Sequence, residues 1–231
     1  CQSGNAPLKI KHTFTTNISK PFQFVFIDLS FLTKQDSSIG FLLMIEHFTK
    51  KIYGRLINNK SAKLVTSKLE EIFNELELEY NVNLATMGVT LQSDNGLEFC
   101  NKQMDQLLIK KGIEQRNSAP YCPSQNGIVE RCNRTIKSSL KKMIHDNPSL
   151  KWPSVFAIVL EQYNNSFHSV LRDTPNNIMD KIIPKLSTET HSLDDVLLEK
   201  ISIAQTVEEI QIKTKNRTKN ISSNLHFKLN D

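Results

Sequence analysis

Between Thr90 and Lys142 the chain reads TLQSDNGLEFCNKQMDQLLIKKGIEQRNSAPYCPSQNGIVERCNRTIKSSLKK. Two carboxylates in this stretch stand where carboxylates do chemistry. Asp94 follows a short apolar strand and opens the turn Asp94-Asn95-Gly96. Glu130 lies near the first turn of a long helix, thirty-five residues intervening. Taken singly, each has a plain reading: a turn residue, and a charge favoured by the helix dipole. Two or three carboxylates brought together repel, and one stays protonated near neutral pH unless a divalent cation lies among them. Oxygen-only ligands, with water and phosphate completing the shell, suit Mg²⁺ or Mn²⁺. Two such ions clamp the attacking and leaving oxygens of an in-line phosphoryl displacement, and no covalent protein nucleophile is needed.

Three segments in order, SDNGLEF, APYCPSQNG and VERCNRT, together with the Asp94-to-Glu130 spacing, resemble the D,D-35-E signature of retroviral and retrotransposon integrases. The resemblance implies a third carboxylate upstream on a strand, and Phe22-Gln-Phe-Val-Phe-Ile-Asp28-Leu-Ser supplies it as Asp28. The segment departs from the family where Leu29-Ser30-Phe31-Leu32 replaces the usual Gly-Pro, and again where Glu46 stands at a position often held by Asp. Asp28, Asp94 and Glu130 are then the expected catalytic and metal-binding residues, with Mg²⁺ or Mn²⁺ as cofactor, two ions being expected. Glu46 is assigned no catalytic role. The family's activity is trimming of DNA 3′-ends by hydrolysis, followed by their joining to target DNA by transesterification. Double-stranded DNA is thus the implied partner, in a homo-oligomer inside the cell that reaches nuclear DNA. Tyr121 and Asn126 match the loop beside the site, and Asn133, Arg134 and Lys137 match positions that contact DNA; Lys141 extends that ladder. Two other readings stand beside this one: a nuclease of the same fold that only hydrolyses, and a domesticated, inactive DNA- or protein-binding module, against which the intact carboxylate trio argues.

The elements that would position these residues are legible from periodicity. Residues 22–31 alternate, with Phe22, Phe24 and Phe26 on one face and Val25, Ile27 and Leu29 on the other. Both faces are apolar, as in a strand covered on both sides, and Asp28 interrupts the Phe face near its end. Residues 39–46 and 51–57 read as two further strands of an antiparallel meander. A helix over 60–80, capped by Asn59 or Ser61, carries Leu64, Leu69, Ile72, Phe73 and Leu76 inward. A strand at 89–92 follows, then a helix at 102–111 capped by Asn101 and stopped at Gly112, then an edge strand at 113–116. From about Ser124 to His145 a helix buries Val129, Cys132, Ile136, Leu140 and Met143. Glu130, Arg134, Lys137 and Lys141 form a second stripe about a quarter-turn away. Helices at 151–167, with Trp152, Phe156, Val159, Leu160 and Tyr163 inward, and from about Asp173 complete the chain's ordered pattern. Periodicity yields an α/β protein with a mixed sheet. The resemblance sharpens this to a ribonuclease H-like five-stranded sheet flanked by helices, with extra C-terminal helices.

At 231 residues the chain can hold one well-buried domain plus appendages. A net charge of +5 agrees with a nucleic-acid partner without requiring one. No apolar run reaches the ~18–20 residues that span a bilayer, and CQSGNAPLKIK lacks the apolar stretch of a secretory signal. Cys1, Cys100, Cys122 and Cys132 form no CxxC pair and read as reduced thiols. Residues 21–182 are expected to be the core with its following helices. Residues 1–20 are expected to be a linker after an N-terminal zinc module, whose last ligand Cys1 resembles. Residues 183–231 are expected to be a helical linker reaching the start of a small β-barrel. The chain starts at Cys1 rather than Met and reads as a piece of something longer.

Overall fold

A computed structural model describes residues 18–32, 39–117 and 127–184, with residue 212 in addition. Five strands form one mixed sheet in the order β3-β2-β1-β4-β5. They are β1 (Phe24–Phe31), β2 (Gly40–Glu46), β3 (Ile52–Ile57), β4 (Thr90–Ser93) and β5 (Glu114–Asn117). The first three are the antiparallel meander, with Asp28 opposite Leu43 on β2. β4 and β5 then add in parallel, with Phe24 beside Thr90 and Phe26 beside Gln92. Each parallel step needs a crossover: α1 (Ala62–Tyr80) with the short α2 (Leu84–Met87) connects β3 to β4, and α3 (Lys102–Lys110) connects β4 to β5. After β5 come α4 (Gly127–Asp146), α5 (Trp152–Asn164) and α6 (Pro175–Ile182). This is the ribonuclease H-like arrangement with extra C-terminal helices.

The helix boundaries follow from capping chemistry. Ser61 Oγ accepts the Leu64 N–H at 3.4 Å at the start of α1, and Asn81 in the left-handed region ends it. Asn101 Oδ1 accepts both the Gln103 and Met104 N–H groups, satisfying two donors that the first turn of α3 leaves free. Gly112 takes the left-handed φ of +62° that stops this helix, and a Cβ there would stand 2.8 Å from the Ala85 backbone of α2. Thr174 Oγ1 accepts the Asn177 N–H at the head of α6, where Pro175 loses nothing at the first helical position.

Two apolar clusters cover the two faces of the sheet. Val25, Ile27, Leu42 and Met44 meet Leu69, Ile72, Phe73 and Leu76 of α1 and Met104 and Leu108 of α3. Phe24, Phe26, Phe41, Leu43 and Ile45 meet Val129, Cys132, Ile136 and Leu140 of α4 and Phe156 and Val159 of α5. Burial pushes the Cys132 thiol up to about 12, so it acts as a core residue; Cys132 and Cys100 are both free. No helix among the described residues is long and apolar enough to cross a membrane.

Several expectations are corrected in detail. Phe22 does not share a face with Phe24 and Phe26: its φ of +60° precedes the strand and turns the ring into the cluster of Val25 and Ile27. In α1 the fully buried residue of the first turn is Val65, with Leu64 partly covered. α5 ends at Asn164, not near 167, and Phe167 is exposed. The single helical turn α2 was not expected; Asn83 caps it through the Ala85 N–H. The expected zinc-module remnant at Cys1 and the β-barrel start near residue 227 lie outside the described residues, as does the expected start of α4 near Ser124.

Candidate active site

The parallel pairing of β1 with β4 sets the site. Its register runs Phe24↔Thr90, Val25↔Leu91, Phe26↔Gln92. Continued two residues past the last pair, that register brings Asp28 of β1 level with Asp94, the residue after β4, across neighbouring strands that ordinary sheet spacing sets roughly 5 Å apart. Asp28 has the parity of Phe24 and Phe26, so its side chain rises on the face that α4 covers. There Asn133 Nδ2 of α4 donates to Asp28 Oδ2 at 2.7 Å. Glu130, one turn earlier on α4, is exposed.

Electrostatics registers this convergence. Burial pushes the Asp28 carboxyl up from 3.8 to about 6, and the nearby Asp94 charge adds to the rise. Hydrogen bonds from the Leu29 backbone and from Asn133 oppose it, and Glu130 raises it further. Lys137, two turns along α4 from Glu130, is held below its usual range by burial while Asp28 pulls it up, which puts its ammonium within the field of Asp28. Among the described residues no three carboxylate, histidine or cysteine groups are drawn close enough to hold one ion together in this conformation.

The turn that carries Asp94 is anchored from behind. Phe99 is fully buried, its N–H bonds the Gly96 carbonyl at 2.9 Å, and its own carbonyl accepts from Gln115 Nε2 of β5. Buried Ser93 donates from Oγ to the Asp94 carbonyl. Asp94 Oδ1 accepts the Gly96 N–H at 2.9 Å, which orients the exposed carboxylate. Gly96 does not have a left-handed φ. What glycine leaves there is space: a Cβ would stand 2.8 Å from the Glu98 carboxylate and 3.0 Å from Asp94 Oδ1.

The remaining expected residues divide. Arg134 and Lys141 are exposed along α4, and Lys137 is half-buried. Asn133, expected on the DNA-contacting ladder, is instead 5% exposed and turned to Asp28. Tyr121 and Asn126 lie outside the described residues. Glu46 is fully buried and accepts from the Phe48 and Thr49 N–H groups, the Thr49 hydroxyl and the Phe22 N–H, at 2.6 to 3.2 Å. It fastens the β2–β3 turn to the entry of β1. The sequence signal missed for Asn133 was one polar residue set among Val129, Cys132 and Ile136.

Residues 18–123 match the integrase core domain family. The chain is 25% identical over 146 residues to a putative uncharacterized transposon-derived protein of Caenorhabditis elegans, covering 63% of this chain and 48% of that one. It is 23% identical over 191 residues to the Transposon Tf2-3 polyprotein of Schizosaccharomyces pombe, covering 79% of this chain and 14% of the polyprotein. The chain thus spans about half of the first relative and a small part of the second. The fold of this chain is shared with solved integrase structures. A simian T-cell lymphotropic virus intasome in complex with PP2A regulatory subunit B56 gamma aligns with a TM-score of 0.60 at 19% identity, over 75% of this chain and 61% of that one. The BIV integrase catalytic core gives 0.54 at 21% identity, over 68% and 93%. The HTLV-2 integrase core in complex with magnesium, in its trimeric form, gives 0.53 at 15% identity, over 68% and 95%.

Proposed function

We propose that this integrase core trims the 3′-ends of a transposable element's DNA by hydrolysis and joins them to target DNA by transesterification. The supporting observation is Asp28: a half-buried carboxyl pushed up to about 6, with the charges of both Asp94 and Glu130 contributing. Three carboxylates from two strand ends and one helix start, without histidine or cysteine, are a donor set suited to Mg²⁺ or Mn²⁺. When bound, a divalent pair supplies activation of the attacking oxygen and charge for the leaving 3′-oxygen. Asp94 is held in place by Gly96, Asp28 by Asn133, and exposed Glu130 has the freedom to turn inward as the site closes. Arg134, Lys137 and Lys141 recur along α4 away from Glu130, where a phosphate backbone leaving the site would run. Tyr121 and Asn126, in the segment between β5 and α4, would meet the DNA end.

The HTLV-2 core was solved with magnesium and in trimeric form, and the simian viral relative as an intasome; both support extending a divalent cofactor, DNA and self-assembly to this chain. Within the whole protein, residues 21–182 would be the catalytic core, residues 1–20 a linker from a zinc module, and residues 183–231 a linker to a β-barrel. The test is strand transfer in Mg²⁺ with duplexes carrying the element's own ends, using Asp94→Asn as control. Shortened ends and joined products that vanish in the control are expected. Hydrolysis without joining would make the domain a nuclease, and no reaction from the folded protein would overturn the proposal.

A further inference from the structure

Asn133 has an unusual environment for a polar side chain. It sits on the seam of α4, four residues after buried Val129 and three before buried Ile136, and only 5% of it is exposed. Its Nδ2 donates to Asp28 at 2.7 Å, while its Oδ1 is buried with no hydrogen-bond partner. An orphaned buried acceptor is destabilising. Turning the amide over does not relieve it. That would set Oδ1 against an ionised carboxylate, which only accepts. The ionised Asp28 therefore locks the amide one way and leaves Oδ1 unmet. An apolar residue at 133 would fill the same place without that orphan but would strip the half-buried Asp28 carboxylate of its donor, so the asparagine answers to that carboxylate and not to packing.

We infer that Asn133 is a positioning residue for Asp28. Resting on the metal-dependent reading above, it holds one edge of the Asp28 carboxylate so that its remaining lone pairs face a divalent cation shared with Asp94. The bond also ties α4, one turn beyond Glu130, to β1, and so fixes the separation of the two elements that carry the outer carboxylates. With its donor committed and its surface covered, Asn133 is not the phosphate contact that its place on the helix suggested; exposed Arg134 beside it is free for that role.

The test compares Asn133→Leu and Asn133→Ser with the parent chain. The readouts are melting temperature, Mn²⁺ affinity without DNA by electron paramagnetic resonance titration, and DNA affinity without divalent ions. Asn133→Leu should melt close to the parent temperature, the relieved orphan offsetting the lost donor, and lose about tenfold in Mn²⁺ affinity, the lower end for losing a group that orients a ligand. Its DNA affinity without divalent ions should not change. Asn133→Ser keeps a donor and should lose less Mn²⁺ affinity; it also serves if the leucine variant does not fold. Unchanged Mn²⁺ affinity in a folded variant overturns the inference, as does DNA affinity that falls in the absence of divalent ions, which marks a lost uncharged contact to the DNA backbone. Asp94→Asn separates the two levels of the argument. If Mn²⁺ affinity ignores Asp94→Asn, the metal-site reading itself fails. If it responds to Asp94→Asn but not to Asn133→Leu, only the positioning role fails.

Discussion

The Glu98 carboxylate lies over Gly96, in the space that a Cβ at residue 96 would occupy. Asp94 Oδ1 would stand 3.0 Å from the same Cβ. The glycine of the Asp-Asn-Gly turn therefore leaves room for these two side chains, since its φ makes no demand for glycine.

Gly96→Ala should destabilise the fold mildly, because the end of the flexible Glu98 side chain can move aside. The cost should shrink when Glu98→Ala is added, since the clash partner is then gone. Urea denaturation of the two single variants and the double variant should give a coupling of about 0.5–1 kcal/mol. Strict additivity would mean that Glu98 does not constrain residue 96.

Asp28 should set a pH dependence of stability. Its folded pKa of about 6 lies above the ordinary 3.8, so folding takes up a proton between these values. The contribution to stability is full below about pH 4 and is lost as pH rises through 6. The shift corresponds to roughly 3 kcal/mol. With divalent ions chelated, Asp28→Asn should match the parent chain near pH 4 and melt increasingly above it up to about pH 7. Parallel melting curves across that range would remove the crowding argument for this carboxylate.

Glu46 should matter to folding and not to chemistry. Shortening it to Asp withdraws the carboxylate from its most distant donor, the Phe22 N–H at 3.2 Å. That buried N–H loses its partner, at a cost of about 1–3 kcal/mol. Glu46→Asp should lower the denaturation midpoint by that amount while leaving Mn²⁺ affinity intact; a drop in Mn²⁺ affinity without loss of stability would reverse the assignment.

Glu46 and Phe22 also mark how far the sequence could be read. Strand and helix periodicities gave the order of elements, because each element buries a regular stripe against the sheet. Asp94 and Glu130 were legible from motif and spacing, and Asp28 from its interruption of a phenylalanine face. Phe22 was misplaced because alternation assumes extended backbone, and nothing local announces a left-handed residue held by a carboxylate 24 positions away. The bond from Asn133 to Asp28 spans 105 positions and depends on how α4 docks, which no local pattern encodes. Glu98 escaped notice because its role depends on the turn folding back on itself.

The basic residues of α4 should contribute to DNA affinity without reading sequence. Arg134 is exposed, and Arg134→Ala should weaken binding similarly on all duplexes, lowering the slope of log affinity against log salt by about one. Lys141→Ala should do the same. Lys137 stands in the field of Asp28, so Lys137→Ala should also change Mn²⁺ affinity, which Arg134→Ala should not. Unchanged salt slopes would return Arg134 and Lys141 to an ordinary solvated face.

Glu130→Gln makes the sharpest demand on the proposed chemistry. The substitution keeps size and helix propensity and removes one negative charge. Glu130 is exposed and off the buried stripe of α4, so melting temperature should scarcely change. Its charge raises the Asp28 carboxyl, so its loss should bring Asp28 part of the way back towards 3.8. DNA affinity should survive, because the proposed phosphate contacts are those of Arg134, Lys137 and Lys141. End trimming and joining should fall together, because one set of carboxylates serves both steps. A fall of at least about 10²–10³-fold is expected, by comparison with the loss of a single electrostatic group elsewhere. Melting, DNA binding and both reactions should be measured on the same preparation. Strand transfer retained by folded Glu130→Gln would remove Glu130 from the site. Loss of joining alone, with trimming intact, would mean that the two steps do not share these carboxylates.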